Sequence, residues 1–143
     1  MPIEIKILGP EDESILANVL SDVFDNPVNK KLTSEFLAGS RHHLAIAIND
    51  GQVVGFASAV DYIHPDKSQG LCINKVGVSS NFRNRGLAKL ALGALLQLGH
   101  ELGCREAWVL TDRPKTAVMR LYESLGATVR TMLCSRSNFS QTP

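Results

Sequence analysis

The stretch "SSNFRNRGLAKLALGALLQLGHELG", Ser79 to Gly103, decides how this chain is read. Two arginines flank Asn84, Gly86 follows, and then Leu87, Leu90, Ala91, Ala94, Leu95, Leu98 and Leu102 recur at helical spacing until Gly103 ends the run. Before it, "LCINKVGV" (Leu71 to Val78) reads as a strand interrupted by Gly77. A strand therefore runs out at Val78 and a helix starts near Arg85 or Gly86. The first N–H groups of such a helix lack intrahelical partners and sit at the positive end of its dipole, where a phosphate group is favoured. Gly86 has no Cβ to block approach, Ala88 is nearly as permissive, and Arg83 and Arg85 add positive charge with no carboxylate in the loop. An ordinary strand–helix connection with solvated arginines is the plainer alternative.

Outward from this turn, the chain alternates strands and helices. "IEIKIL" (Ile3 to Leu8) alternates apolar and charged residues and predicts a half-buried strand. Gly9-Pro10 ends it, and "EDE" opens a helix whose stripe is Ile15, Leu16, Val19, Leu20 and Val23. "DNPVN" is a turn, and a short helix is expected from about Lys31 to Ala38. "HLAIAINDGQVVGFASAVDYI" predicts a hairpin closed at Asn49-Asp50-Gly51-Gln52, because Asp-Gly favours a tight turn. "HPDKSQG" is expected as a loop, "REAWVLTD" as a buried strand, "KTAVMRLYESLG" as a last helix and "ATVRTMLC" as a closing strand. The order predicts an α/β (α+β) domain: a mixed, mostly antiparallel sheet with helices on both faces.

The composition sets the limits. A chain of 143 residues suits a single domain over 1–143, with a polar tail from about Arg136. A formal net charge of +1 and scattered basic residues argue against a nucleic-acid partner or an anionic membrane surface. No apolar run reaches the roughly 18 residues of a membrane span, and no signal peptide is expected at the start. Cys72, Cys104 and Cys134 form no C-x-x-C pair, which suggests reduced thiols and a cytoplasmic protein. His42, His43, His64 and His100 show no zinc-ligand spacing, so no metal is expected. The chain has neither a G-x-x-x-x-G-K-[ST], which excludes the usual P-loop, nor a G-x-G-x-x-G after a strand, which argues against a dinucleotide site.

Arg83-Asn84-Arg85-Gly86-Leu87-Ala88 resembles the R/Q-x-x-G-x-G/A signature of the GNAT superfamily of N-acetyltransferases. "VGV" (Val76 to Val78) just before it and "LYESLGA" (Leu121 to Ala127) after the next strand stand in that family's order, and the resemblance spans nearly the whole chain. The resemblance implies that Arg83, Asn84, Arg85, Gly86, Leu87 and Ala88 hold the pyrophosphate of acetyl-CoA through backbone N–H groups. It implies that the main chain of Val76 and Val78 bonds the pantetheine arm near a strand bulge, and Gly77 suits a bulge or a close backbone approach. The side chains of those valines would still pack in the core.

Tyr122 stands where the family keeps a tyrosine near the coenzyme sulfur; a phenol of pKa ~10 can protonate a leaving thiolate whose acid has pKa ~8.5. An amphipathic core tyrosine is the alternative. The general base is not fixed, because the strand that often supplies a carboxylate has Asn74 and Lys75 instead. Asp61, His64 and Asp112 are candidates, each also readable as a solvated turn residue. Asp112 is preferred because its strand end lies next to the cofactor in the family fold, and deprotonation through water remains a further route. Lys115 departs from the asparagine or aspartate common seven residues before the tyrosine.

"VVG…Y-x-x-P" (Val53 to Pro65) is similar to small aminoglycoside 3-N-acetyltransferases, although a lysine at position 75 facing the acceptor would repel a polycation. The expected partners are acetyl-CoA and an amine, with a homodimer implied by family habit. A protein N-terminal or lysine acetyltransferase, or a catalytically weak acetyl-CoA-binding module, are the competing functions.

Overall fold

In the computed structural model, which describes residues 2–109 together with Arg120 and Glu123, five strands form one sheet in sequential order. They are β1 (Glu4–Ile7), β2 (His42–Asn49), β3 (Gln52–His64), β4 (Lys67–Val78) and β5 (Glu106–Val109). The first four pair antiparallel with their neighbours, and β5 runs parallel to β4. A parallel neighbour needs a crossover, and helix α2 (Leu87–Glu101) supplies it. Helix α1 is Lys30–Ala38, with Asn29 Oδ1 capping the N–H of Leu32 at 3.0 Å.

The first hairpin closes as expected. Asp50 (φ 52°) and Gly51 (φ 77°) are both left-handed, the geometry a two-residue turn needs to match strand twist. The second hairpin corrects the sequence reading. His64 pairs with Lys67, so the loop expected over His64 to Gly70 shrinks to Pro65 and Asp66. Lys67, Ser68 and Gln69 sit on a strand end that projects beyond the core, where backbone pairing persists without apolar side chains to announce it.

The first helix is corrected too. Pro10–Ala17 is a 3-10 helix, tied at its start by Gly9 N–H donating to Asp12 Oδ2 at 2.8 Å. Beyond it the chain is extended and follows the start of β3. Val53 N–H donates to Asn18 O at 2.9 Å and Leu20 N–H to Val53 O at 3.1 Å. The stripe Ile15 to Val23 is therefore buried partly by a strand-like segment, which β-branched Val19 suits.

Strand alternation divides the core between two faces. Ala45, Ala57, Ala59, Leu71 and Ile73 meet Ala91, Leu92 and Leu95 of α2 on one face. Leu44, Ile46, Val53 and Phe56 meet Leu16, Val23 and Leu37 on the other. Helices on both faces are thus observed. The buried seam of α2 is Leu87, Ala91, Leu92, Leu95 and Gly99, rotated from the expected stripe. Leu90 and Leu102 are 53% and 40% exposed, whereas Leu92 is fully buried. Small strand residues draw the helix close, and a Cβ on Gly99 would lie 3.0 Å from Leu71 Cδ2. Strand β5, expected as buried, has Glu106 and Ala107 exposed with Trp108 and Val109 half-buried. The last helix and closing strand lie outside the described residues, apart from Arg120 and Glu123, both helical and exposed.

Candidate active site

The site is built from the end of β4. Ser58 pairs with Lys75 but Ala59 pairs with Ile73, which leaves Asn74 as an extra residue on β4. The bulge, one of the two roles open to Gly77, therefore falls at Asn74. Gly77 serves close approach instead: a Cβ there would sit 2.8 Å from Phe56 Cε1 and 3.0 Å from the carbonyl of Val23. Past the bulge, Phe56 lies opposite Gly77, and Ser79 N–H donates to Val54 O at 2.9 Å. Antiparallel alternation then turns the main-chain groups of Val76 and Val78 away from β3, toward the β5 side. Their side chains pack at the margins of the core.

Arg83 Nε donates to the carbonyl of Val78 at 3.3 Å, so the loop folds back along this strand end. Asn84 (φ 64°) and Gly86 (φ 74°) are both left-handed. Space above Gly86 is open within 4 Å, so its glycine is required by backbone conformation rather than by crowding. Gly86 is the N-cap of α2 and makes no side-chain cap; its carbonyl accepts from Leu90 N–H at 3.1 Å. The N–H groups of Leu87, Ala88 and Lys89 thus lack intrahelical acceptors. Leu87 is buried and anchors the helix start in the core. Arg83, Asn84, Arg85 and Gly86 are exposed. The Arg85 guanidinium lies 4.9 Å from the centre of the Phe82 ring, and among the described residues neither arginine pairs with a carboxylate.

Two of the base candidates lie away from the Val76–Val78 end of β4. Asp61, read as a solvated turn residue, is buried on β3. Its carboxylate accepts from Arg41 Nη1 at 2.8 Å, Gln69 Nε2 at 2.7 Å and His43 Nε2 at 2.6 Å. Burial would raise its pKa, but hydrogen bonds from His43 and Gln69 and the charges of His43 and Arg41 win and hold it below the usual carboxylate range. A saturated, weakly basic carboxylate is a poor base. It also pairs opposite Leu71, five residues (roughly 17 Å of strand) from Val76. His64 is exposed at the hairpin tip and bonds Asp66, farther still from that end of β4. Asp112 and Tyr122 lie outside the described residues.

Lys75 points to the face opposite α2, where its Nζ meets Asp25 Oδ2 at 3.1 Å. The segment carrying Asp25 also carries Asp22, whose Oδ2 accepts from Ser80 N–H at 2.8 Å. Sequence reasoning missed both acids. Partners 50 and 58 residues away leave no local signal. Burial raises the thiol pKa of Cys72 and Cys104, the free cysteines among the described residues, and so disfavours their thiolate forms. Among the described residues no cluster of His, Cys, Asp and Glu could hold a metal, and no helix is long and apolar enough to cross a membrane.

Among the described residues the sheet has one parallel strand, a bulge on its neighbour and a helix that opens behind a left-handed glycine, an arrangement shared with acetyltransferases of the GNAT fold. Residues 14–127 match the acetyltransferase (GNAT) family, and the chain belongs to it. Among curated proteins it is similar to aminoglycoside N(6')-acetyltransferase type 1 of Salmonella typhimurium, 36% identical over 90 residues. That match covers 59% of this chain and 62% of the relative, so it spans under two thirds of the relative's length. The branch named there is N(6'), where the sequence resemblance pointed to 3-N. Among solved structures, an aminoglycoside acetyltransferase from an uncultured soil metagenomic sample, in complex with sisomicin, is 16% identical with TM-score 0.80, covering 97% of each chain. AAC(6')-Iy in complex with a bisubstrate analogue of CoA is 23% identical with TM-score 0.71, covering 100% of this chain and 99% of that one.

Proposed function

We propose that the protein moves the acetyl group of acetyl-CoA to a primary amine of a small molecule, by direct attack in a ternary complex. The observation that carries this reading is the start of α2: behind left-handed Gly86 the amides of Leu87, Ala88 and Lys89 have no intrahelical acceptor and, among the described residues, no side-chain cap. These groups fit a diphosphate ester. Amides of Gly86, Leu87 and Ala88 would take its oxygens, Arg83 and Arg85 would supply positive charge, and Asn84 shapes the turn. The main-chain groups of Val76 and Val78 face the side on which a pantetheine amide would bond. Acetyl-CoA supplies the activated acyl group.

The chain's own part is to hold the thioester and the amine together, which removes much of the entropic barrier to attack. Asp112 takes a proton from the acceptor's ammonium so that the neutral amine can attack the thioester, and Tyr122 donates a proton to the departing sulfur, in this proposal. Tyr122→Phe is then expected to lower kcat about 100-fold while leaving the acetyl-CoA KM within twofold, read in a thiol-release assay. Unchanged kcat with a limiting chemical step would remove Tyr122 from the mechanism.

The relatives' names make aminoglycosides the first acceptors to try. The Lys75–Asp25 pair supports that choice, because Asp25 offsets the ammonium that would repel a polycation. A cytoplasmic location and a homodimer belong to the same proposal. The first rests on three scattered cysteines without a C-x-x-C pair and the second on family habit, and light scattering checks the latter. The deciding experiment is titration of acetyl-CoA followed by turnover on an amine panel. Tight binding without turnover on any amine would favour a binding module.

A further inference from the structure

We infer that Asp22 is a positioning residue for the loop that receives the coenzyme diphosphate, an inference that rests on the acetyl-CoA reading above. The loop Arg83 to Ala88 has two supports. On its C-terminal side, buried Leu87 fixes the first turn of α2 in the core. On its N-terminal side stands a single 3-10 turn, Ser80–Phe82. That turn has its own internal bond, Phe82 N–H to Ser79 O at 2.9 Å, and Ser79 N–H reaches Val54 O at 2.9 Å. Its first amide, Ser80 N–H, is held from outside by Asp22 Oδ2 at 2.8 Å.

Asp22 is itself firmly placed. The segment before it runs along Val53 through the bonds to Asn18 and Leu20, and Val23 N–H returns to Leu20 O at 3.1 Å. Val23 then packs into the core, its carbonyl lying over Gly77. Asp25 meets Lys75 just past the β4 bulge. The segment from Asn18 to Asp25 is therefore a strap across the strand end from which the diphosphate loop departs. The Ser80 amide, with the Ser79 hydroxyl, holds the Asp22 carboxyl at about 2, so it is an anion throughout any working pH range. A carboxylate beside a site for phosphates would repel them if free. Here its charge is directed to the Ser79–Ser80 turn, which makes a ligand contact a poor explanation and an orienting role a good one.

Removing the carboxylate frees the Ser80 amide and lets the turn rotate, so Arg83, Asn84 and Gly86 lose a fixed relation to the amides of α2. Asp22→Ala is expected to raise the acetyl-CoA Kd and KM about tenfold, the size of one charge-assisted hydrogen bond, with kcat at saturation within twofold. Asp22→Asn keeps an acceptor oxygen and should recover most of the affinity. Hydrogen exchange in the full chain without ligand should quicken about tenfold at Ser80 to Gly86 in Asp22→Ala and stay unchanged in β2 and β3. Wild-type affinity in Asp22→Ala, or exchange quickened equally throughout the sheet, would overturn the inference alone. Failure of the wild-type protein to bind acetyl-CoA would overturn the functional reading, and the coenzyme role of Asp22 with it.

Discussion

Left-handed backbone at a non-glycine residue costs roughly 1–2 kcal/mol, and Gly86 stands at φ 74° with open space around it. Gly86→Ala is therefore expected to lose about 1 kcal/mol of stability or to shift the loop out of register. Either way acetyl-CoA binding weakens about tenfold by calorimetry. Gly86→Glu adds a negative charge at the diphosphate seat and should abolish binding in protein that still unfolds cooperatively; retained affinity would contradict the seat. Asp61 makes a second residue-scale prediction. Its pKa is lowered in the folded state, so its stabilisation is full above the unfolded carboxylate value of about 3.9 and is lost as pH falls through the folded value. Urea midpoints should drop between pH 6 and pH 3, and by less in Asp61→Asn. Asp61→Ala leaves buried His43 and half-buried Gln69 without their acceptor, while half-exposed Arg41 can turn to water, and should cost about 2 kcal/mol at pH 7.

At the scale of elements, the seam of α2 separates two leucines of identical chemistry. Leu92 is fully buried against the alanine-lined sheet face, and Leu90 is half exposed. Leu92→Ala is expected to cost about 3 kcal/mol in chemical denaturation, whereas Leu90→Ala should stay within about 0.5 kcal/mol. Equal costs would show that the helix sits in a different rotation. Composition alone cannot separate the two, because leucine at every third or fourth position leaves several overlapping stripes. What selects the seam is Gly99 and the small residues Ala45, Ala57 and Ala59, which let the helix descend on one side only.

For the molecule as a whole, a ligand that binds only the folded chain stabilises it by mass action. Acetyl-CoA at about 100 times its Kd adds about 2.7 kcal/mol, which should raise Tm by roughly 5–10 °C in a protein of this size. A Tm indifferent to acetyl-CoA would count against the binding site. The shift should also shrink in Asp22→Ala at the same ligand concentration, since that variant's Kd is higher.

The sequence by itself determined the hairpin at Asp50-Gly51, the starts of α1 and α2, the order of the strands and α-helices among the described residues and the family of the loop, because each is written in neighbouring residues. Turn chemistry, caps and hydrophobic period act over a few positions, so they survive in one dimension. Tertiary structure alone decided that Asn74 carries the bulge, that Asp61 is a buried anion, that Lys75 meets Asp25 and that Asp22 supports Ser80. Those facts depend on which distant segments the sheet brings side by side. Pairing register and charge placement are consequences of packing, and no stretch of neighbouring residues encodes them.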